Sequence, residues 1–125
     1  MASGIRDLKV WQESVALAAD CVKALKVANR RELMAVADET LRIALTVPSH
    51  IADGYARYAP LEQREAYRAA RRELLRLEGA LAVARRAELI SAQAHSMLSD
   101  RITIVLRLIG GYLVYLDRET GNEAV

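Results

Sequence analysis

The stretch Val47-Pro48-Ser49-His50-Ile51-Ala52-Asp53-Gly54-Tyr55-Ala56-Arg57 puts a proline inside an otherwise uninterrupted amphipathic pattern. On both sides of it, Leu33, Ala37, Leu41, Ala44, Pro48, Ile51, Tyr55 and Tyr58 recur in steps of three and four. That period is helical. The register crosses Pro48 unchanged, and two separate helices would have no reason to share a phase. The spacing therefore predicts one helix over about residues 31–58, kinked at Pro48. Proline has no N–H, so the Ala44 carbonyl loses its helical partner and the ring opens that turn. The Thr46 and Ser49 hydroxyls are placed to bond nearby carbonyls.

Three more helices follow from the same periodicity. Leu8, Trp11, Val15, Ala18, Val22 and Leu25 form a heptad seam for a helix over about residues 5–29. The Pro60 break opens a third helix over about residues 61–86, because proline suits a first turn. Its seam is Tyr67, Ala70, Leu74, Leu77, Leu81 and Ala84. Gly79 sits mid-helix at a cost of about 1 kcal/mol against alanine, which predicts a close approach by a neighbouring helix. Ser91 reads as the N-cap of a fourth helix over about residues 91–118. Its seam is Leu98, Ile102, Val105, Ile109, Tyr112 and Leu116. The tail, residues 119–125, is expected to fray. Four amphipathic helices with short connections predict an all-α, antiparallel, up-down-up-down four-helix bundle. At 125 residues, the chain reads as a single domain, residues 1–125.

The fourth helix is apolar beyond one stripe. Ile104, Leu106, Leu108, Leu113, Val114 and Tyr115 add further faces, and a helix apolar most of the way round is a buried one. Its outward side is therefore expected to be covered by another copy of the chain. Ile104, Leu108, Gly111 and Tyr115 are the candidate contacts, with Gly110 and Gly111 permitting close backbone approach. The other reading is a thick core with scattered exposed leucines.

Composition narrows the remainder. Hydrophobic residues make up 53% of the chain, with no phenylalanine and one cysteine. A lone Cys21 forms no internal disulfide, so nothing points to an oxidising compartment. The N-terminus lacks a signal peptide's apolar run. The longest apolar stretch, Ile102 to Leu116, is broken by Thr103, Arg107 and two glycines, and is too short to span a membrane. These features predict a cytoplasmic, soluble protein. The net charge of +2 is too small to announce a nucleic-acid binder by itself.

The chain resembles the bacterial four-helix-bundle family that includes proteins encoded in ribosomal-RNA intervening sequences. The likeness rests first on Leu8, Val10, Trp11 and Gln12, which match the family's opening segment. It rests mainly on Val47, Pro48, Ser49, His50, Ile51, Ala52, Asp53 and Gly54, followed by Arg57, which match its central motif. Leu74, Leu77, Glu78 and Leu81 match a weaker third-helix pattern. In this chain His50 stands where the family usually has Asn, and Asp53 where it has Glu. Ala59 replaces a capping Ser, and Leu41 precedes Arg42 where two arginines are common. Arg72 and Arg76 replace Gly and Glu. The resemblance implies structural roles for Trp11, Pro48, Ser49, Ile51, Asp53, Gly54 and Arg57. It implies a bundle that assembles as a homopentamer, without enzymatic activity. The family is similar to accessory proteins of diversity-generating retroelements, which implies RNA or DNA as a partner.

The residues that carry chemistry are few. His50 and Asp53, three apart, share a helix face and can in principle orient a base or hold a metal. A structural site wants about four ligands, and only His95 and scattered carboxylates remain. The competing account is a polar pair satisfying loosened groups beside the kink. No phosphate loop or nucleophile motif is present. The expectation is therefore no enzyme, no cofactor, no metal and no small-molecule substrate. Arg64, Arg68, Arg71 and Arg72 fall within one arc of the third helix, with Arg76 at its edge. They read either as a solvated face with local pairing or as a phosphate-binding stripe. A scaffold that binds only protein partners is the alternative function.

Overall fold

The computed structural model describes residues 4–26 and 30–121. A short 3-10 turn at Ile5–Asp7 precedes four α-helices: α1 (Lys9–Leu25), α2 (Arg31–Ala56), α3 (Pro60–Arg86) and α4 (Ala92–Thr120). No strand occurs among the described residues. Each helix packs on two others: α2 on α3, α3 on α4, and α1 on both α2 and α4. This is a four-helix bundle. Side-chain pairs give the directions. Gly54, near the end of α2, meets Ala66 and Tyr67 near the start of α3, while the earlier Thr46 meets the later Glu73. Likewise Arg64 pairs with Asp117, and Tyr67 stacks on the earlier Tyr112. Both pairs, α2–α3 and α3–α4, therefore run antiparallel.

The helix boundaries depart from the periodicity in instructive ways. The first helix does not begin at Ile5, because Leu8 is extended (φ −81°, ψ 113°) and separates the 3-10 turn from α1. The predicted residues 27–29 lie outside the described residues. Helix α2 runs unbroken through Pro48. It ends at Ala56 rather than Tyr58, since Arg57 turns extended and caps the helix through its own N–H. Tyr58 is then 98% exposed. Ser91 caps α4 as expected, its hydroxyl accepting from the Ala94 N–H at 3.0 Å. The frayed tail is corrected in part. Residues 119–120 complete α4, and Gly121 closes it in the left-handed region at φ 66°, where a Cβ would be strained. Residues 122–125 lie outside the described residues.

The α3 seam is as predicted: Tyr67, Ala70, Leu74, Leu77, Leu81 and Ala84 are all fully buried. The α4 seam also holds, with Tyr112 half-buried. The seams of α1 and α2 are shifted. In α1, Val10, Ser14, Leu17 and Cys21 are buried, whereas Val15 and Val22 are exposed. In α2 the buried line runs through Ala37, Thr40, Ile43, Ala44, Val47, Ile51 and Gly54, and Tyr55 is exposed. One cause explains both shifts. Each true seam contains a hydroxyl residue that makes it look polar. The Ser14 hydroxyl donates to the Trp11 carbonyl at 2.8 Å, and that of Thr40 to the Val36 carbonyl at 2.7 Å. Their polarity is spent on the helix's own backbone, so both bury at little cost.

No described helix is long and apolar enough to cross a membrane.

Candidate functional site

Pro48 sits half-buried on α2. The Thr46 and Ser49 hydroxyls donate to the Ile43 and Leu45 carbonyls, at 2.6 and 3.0 Å. They flank the Ala44 carbonyl that proline deprives of a partner. Ile51 is fully buried, and Trp11 packs half-buried against the core. At Gly54, α2 lies close against α3. A Cβ there would lie 2.9 Å from Tyr67 Cε2 and 3.2 Å from Ala66 Cβ.

Asp53 and Arg57 close the end of α2. Arg57 donates from Nε and Nη2 to the two Asp53 carboxylate oxygens, at 3.1 and 3.3 Å. This hydrogen-bonded contact pushes the Arg57 pKa up, aided by the Asp53 charge and, more weakly, by Glu62. Arg57 also approaches Glu62 at the start of α3, at 3.7 Å. The Arg57 carbonyl accepts from Gln63 Nε2 at 2.8 Å. The motif's charged pair thus ties the α2–α3 turn together.

His50 lies beside this pair in an open groove of about 460 Å³, lined also by Leu61, Glu62, Glu65 and Ala69. The Asp53 carboxylate is engaged by Arg57 rather than by His50. Among the described residues, no group of three or more His, Cys, Asp or Glu side chains is placed to hold a metal. His95 stands apart, half-buried in the first turn of α4.

The arginines of α3 divide into two sets. Arg64 leaves the predicted stripe: its side chain is 12% exposed and bonds Asp117 of α4 at 3.0 Å. The arc reading missed this because it saw one helix, and the partner lies on another. Arg76 pairs with Glu73 at 2.7 Å, and a Glu73 carboxylate oxygen lies 3.2 Å from the Thr46 hydroxyl, as a second, longer acceptor for the proton that bonds the Ile43 carbonyl. Between them, Arg68 is half-buried and Arg71 and Arg72 are exposed. None of these three enters an ion pair among the described residues. Arg68 and Arg72 stand about 6 Å apart along the axis, at 1.5 Å rise per residue. The close approach predicted at Gly79 is absent, since a Cβ there meets nothing within 4 Å.

On α4, Met97, Ile104, Gly111 and Tyr115 are exposed and Leu108 is half-buried. They follow the four-three spacing of Arg101, so they share its side of the helix. Arg101 faces α1, bonding Asp20 at 2.8 Å and approaching Glu13 at 3.5 Å. The stripe therefore flanks α1 without being covered by it. Gly110 and Gly111 each leave open space where a Cβ would stand.

Sequence reasoning missed the Arg101 triad. Its one local signal is the seven-residue spacing of Glu13 and Asp20, which puts two carboxylates on one face of α1.

The family model that matches this chain is described as 23S rRNA-intervening sequence protein, and the match covers residues 6–111. No curated protein matches the chain.

Proposed function

The chain belongs to the 23S rRNA-intervening sequence protein family, and we propose that it acts without catalysis, as an assembly of identical copies that holds nucleic acid against its arginine faces. One observation carries this reading. Of the α3 arc, Arg64 and Arg76 are ion-paired, whereas Arg68, Arg71 and Arg72 share one face of that helix with no ion-pair partner among the described residues. Cations left without carboxylates are available to phosphates, which is the electrostatic term that dominates nucleic-acid affinity. The family's description, with its ribosomal-RNA intervening sequence, supports RNA over DNA. The same reading puts the protein in the cytoplasm.

Assembly multiplies the effect. The α4 stripe supports it, with Met97, Ile104 and Tyr115 at 43%, 40% and 54% exposure. Copies that meet through this stripe, five in the ring that the family resemblance implies, would gather several α3 faces into one positive surface. Ile104→Glu is expected to dissociate the assembly.

The test is a binding titration with RNA over a range of salt. Arg68→Glu with Arg72→Glu is expected to weaken binding uniformly across sequences. It should flatten the slope of log affinity against log salt by about 0.7–0.9 for each phosphate that is no longer neutralised. No measurable binding by the wild-type chain at low ionic strength overturns the reading. Retention of a specific protein partner that survives nuclease would favour the scaffold alternative instead.

A further inference from the structure

All five tyrosines of this chain gather at one end of the bundle. Tyr55 is in the last turn of α2, and Tyr58 is in the turn that follows. Tyr67 sits two turns into α3, and its ring centroid lies 4.6 Å from that of Tyr112 on α4. Tyr112 in turn meets Tyr115 edge-on at 5.8 Å. Tyr67 is wholly interior, but Tyr55, Tyr58 and Tyr115 are 41%, 98% and 54% exposed. A single exposed aromatic is ordinary. Three at one end, in a chain that has no phenylalanine anywhere, call for a surface purpose.

Charge says what that purpose is. The Arg64–Asp117 pair joins the start of α3 to the last turns of α4. Arg68 follows Arg64 by one turn, and Arg118 shares a face with Tyr115 at i, i+3. Neither Arg68 nor Arg118 has an ion-pair partner among the described residues. The same end carries carboxylates at Glu62, Glu65 and Glu119, so the two arginines offer local anion contacts beside the rings. A partner that uses both features presents flat apolar faces with negative charge next to them. A duplex offers its phosphates but keeps its base faces stacked inside. A single strand or loop offers both.

We infer that the tyrosine end is a stacking platform for unpaired bases, with Tyr58 as its most exposed ring and Arg68 and Arg118 on the adjoining phosphates. This rests on the nucleic-acid reading above and adds to it the form of the ligand: single-stranded or looped, not fully paired. Tyr115 also ends the α4 stripe, so the test turns on Tyr58, which lies on the α2–α3 turn away from that stripe.

The experiment measures fluorescence anisotropy of a labelled uridine homopolymer, a thymidine homopolymer and a fully paired RNA duplex, all at low salt. The proteins are the wild-type chain, Tyr58→Ala, Tyr58→Phe, and Arg68→Glu with Arg72→Glu. Tyr58 is almost wholly solvent-exposed, so its replacement leaves the bundle folded. Tyr58→Ala should weaken binding of the strands roughly 5- to 150-fold, the range for one lost base stack. It should leave duplex binding and the salt slope unchanged, and Tyr58→Phe should bind as wild type does. The uridine and thymidine arms separate RNA from DNA. Strand binding unchanged in Tyr58→Ala but abolished by arginine reversal overturns this inference while the arginine reading stands. A preference for the duplex also overturns it. Wild-type protein that binds none of the three probes overturns the arginine reading itself.

Discussion

Replacing Gly54 with alanine inserts one methyl group where α2 lies tight against α3. Its Cβ would meet Tyr67 Cε2 at 2.9 Å, Tyr67 Cδ2 at 3.1 Å and Ala66 Cβ at 3.2 Å. None of these atoms can yield cheaply. Tyr67 is fully buried and its ring is held by Tyr112, while the Ala66 methyl is fixed by its own backbone. Forcing a methylene-sized group into such a contact costs about 1–3 kcal/mol. Alanine would otherwise gain about 1 kcal/mol over glycine in a helix interior. The expected net effect is a destabilisation of up to about 2 kcal/mol. Gly79→Ala supplies the comparison. It has the same gain in helix propensity with nothing within 4 Å of its Cβ, so it should stabilise by about 1 kcal/mol. The difference between the two variants cancels the propensity term and isolates the contact, at about 1–3 kcal/mol. Thermal unfolding at fixed protomer concentration reads it out. At about 3–5 °C per kcal/mol for a domain of this size, Gly54→Ala should melt well below Gly79→Ala. If Gly54→Ala proves as stable as Gly79→Ala, the glycine is not there for helix contact, and the structural reading of the motif is wrong.

Three further outcomes follow from the interior. Burial, and secondarily Asp20, pushes the Cys21 thiol up from 9.0 to about 12. The unfolded thiol ionises first, so this contribution to stability is full below about pH 9 and is lost as pH rises towards 12, by up to about 1.4 kcal/mol per unit. Urea midpoints across that range check the slope, and a thiol reagent at neutral pH should label Cys21 only upon unfolding. Asp117→Ala leaves the largely buried Arg64 cation without its carboxylate and should cost about 1–3 kcal/mol; chemical denaturation reads this, and a cost near zero would show that the pair is solvated. Leu17→Ala should cost about 2–5 kcal/mol while Val22→Thr stays within about 0.5 kcal/mol, and the reverse order in melting experiments would restore the seam drawn through Val22.

The contrast between helices shows what periodicity can and cannot carry. The seam of α3 was legible because every core position is apolar and the outward arc is charged, so a single phase fits. In α1 and α2 two overlapping stripes compete. The true one passes through Ser14 and Thr40, whose polarity disappears only when their bonds to Trp11 and Val36 are seen. Hydroxyl residues in a stripe are ambiguous until the backbone acceptor is known. Gly54 was visible as a motif residue, but its reason was not, because the atoms that exclude a Cβ belong to α3. The arginine arc was legible as an arc, and its division was not. Arg64 is removed from it by Asp117, fifty-three positions away, and no local spacing encodes such a pair. Arg101 is held by Glu13 and Asp20 in the same way. What remains of the arc after Arg64 is lost to its long-range pair and Arg76 to its local partner Glu73 is the set Arg68, Arg71 and Arg72, on which the functional reading stands.

An assembly of copies that holds a polynucleotide on those three arginines has two signatures in one preparation, its size and its ultraviolet absorbance. Both are read by light scattering of the full chain purified from its host, with absorbance at 260 nm recorded before and after nuclease. The expected particle is several times the 13.8 kDa of one chain, carrying nucleic acid that nuclease removes while the protein stays assembled. A 13.8 kDa monomer at micromolar concentration, with no absorbance beyond that of its own aromatic side chains, would contradict it.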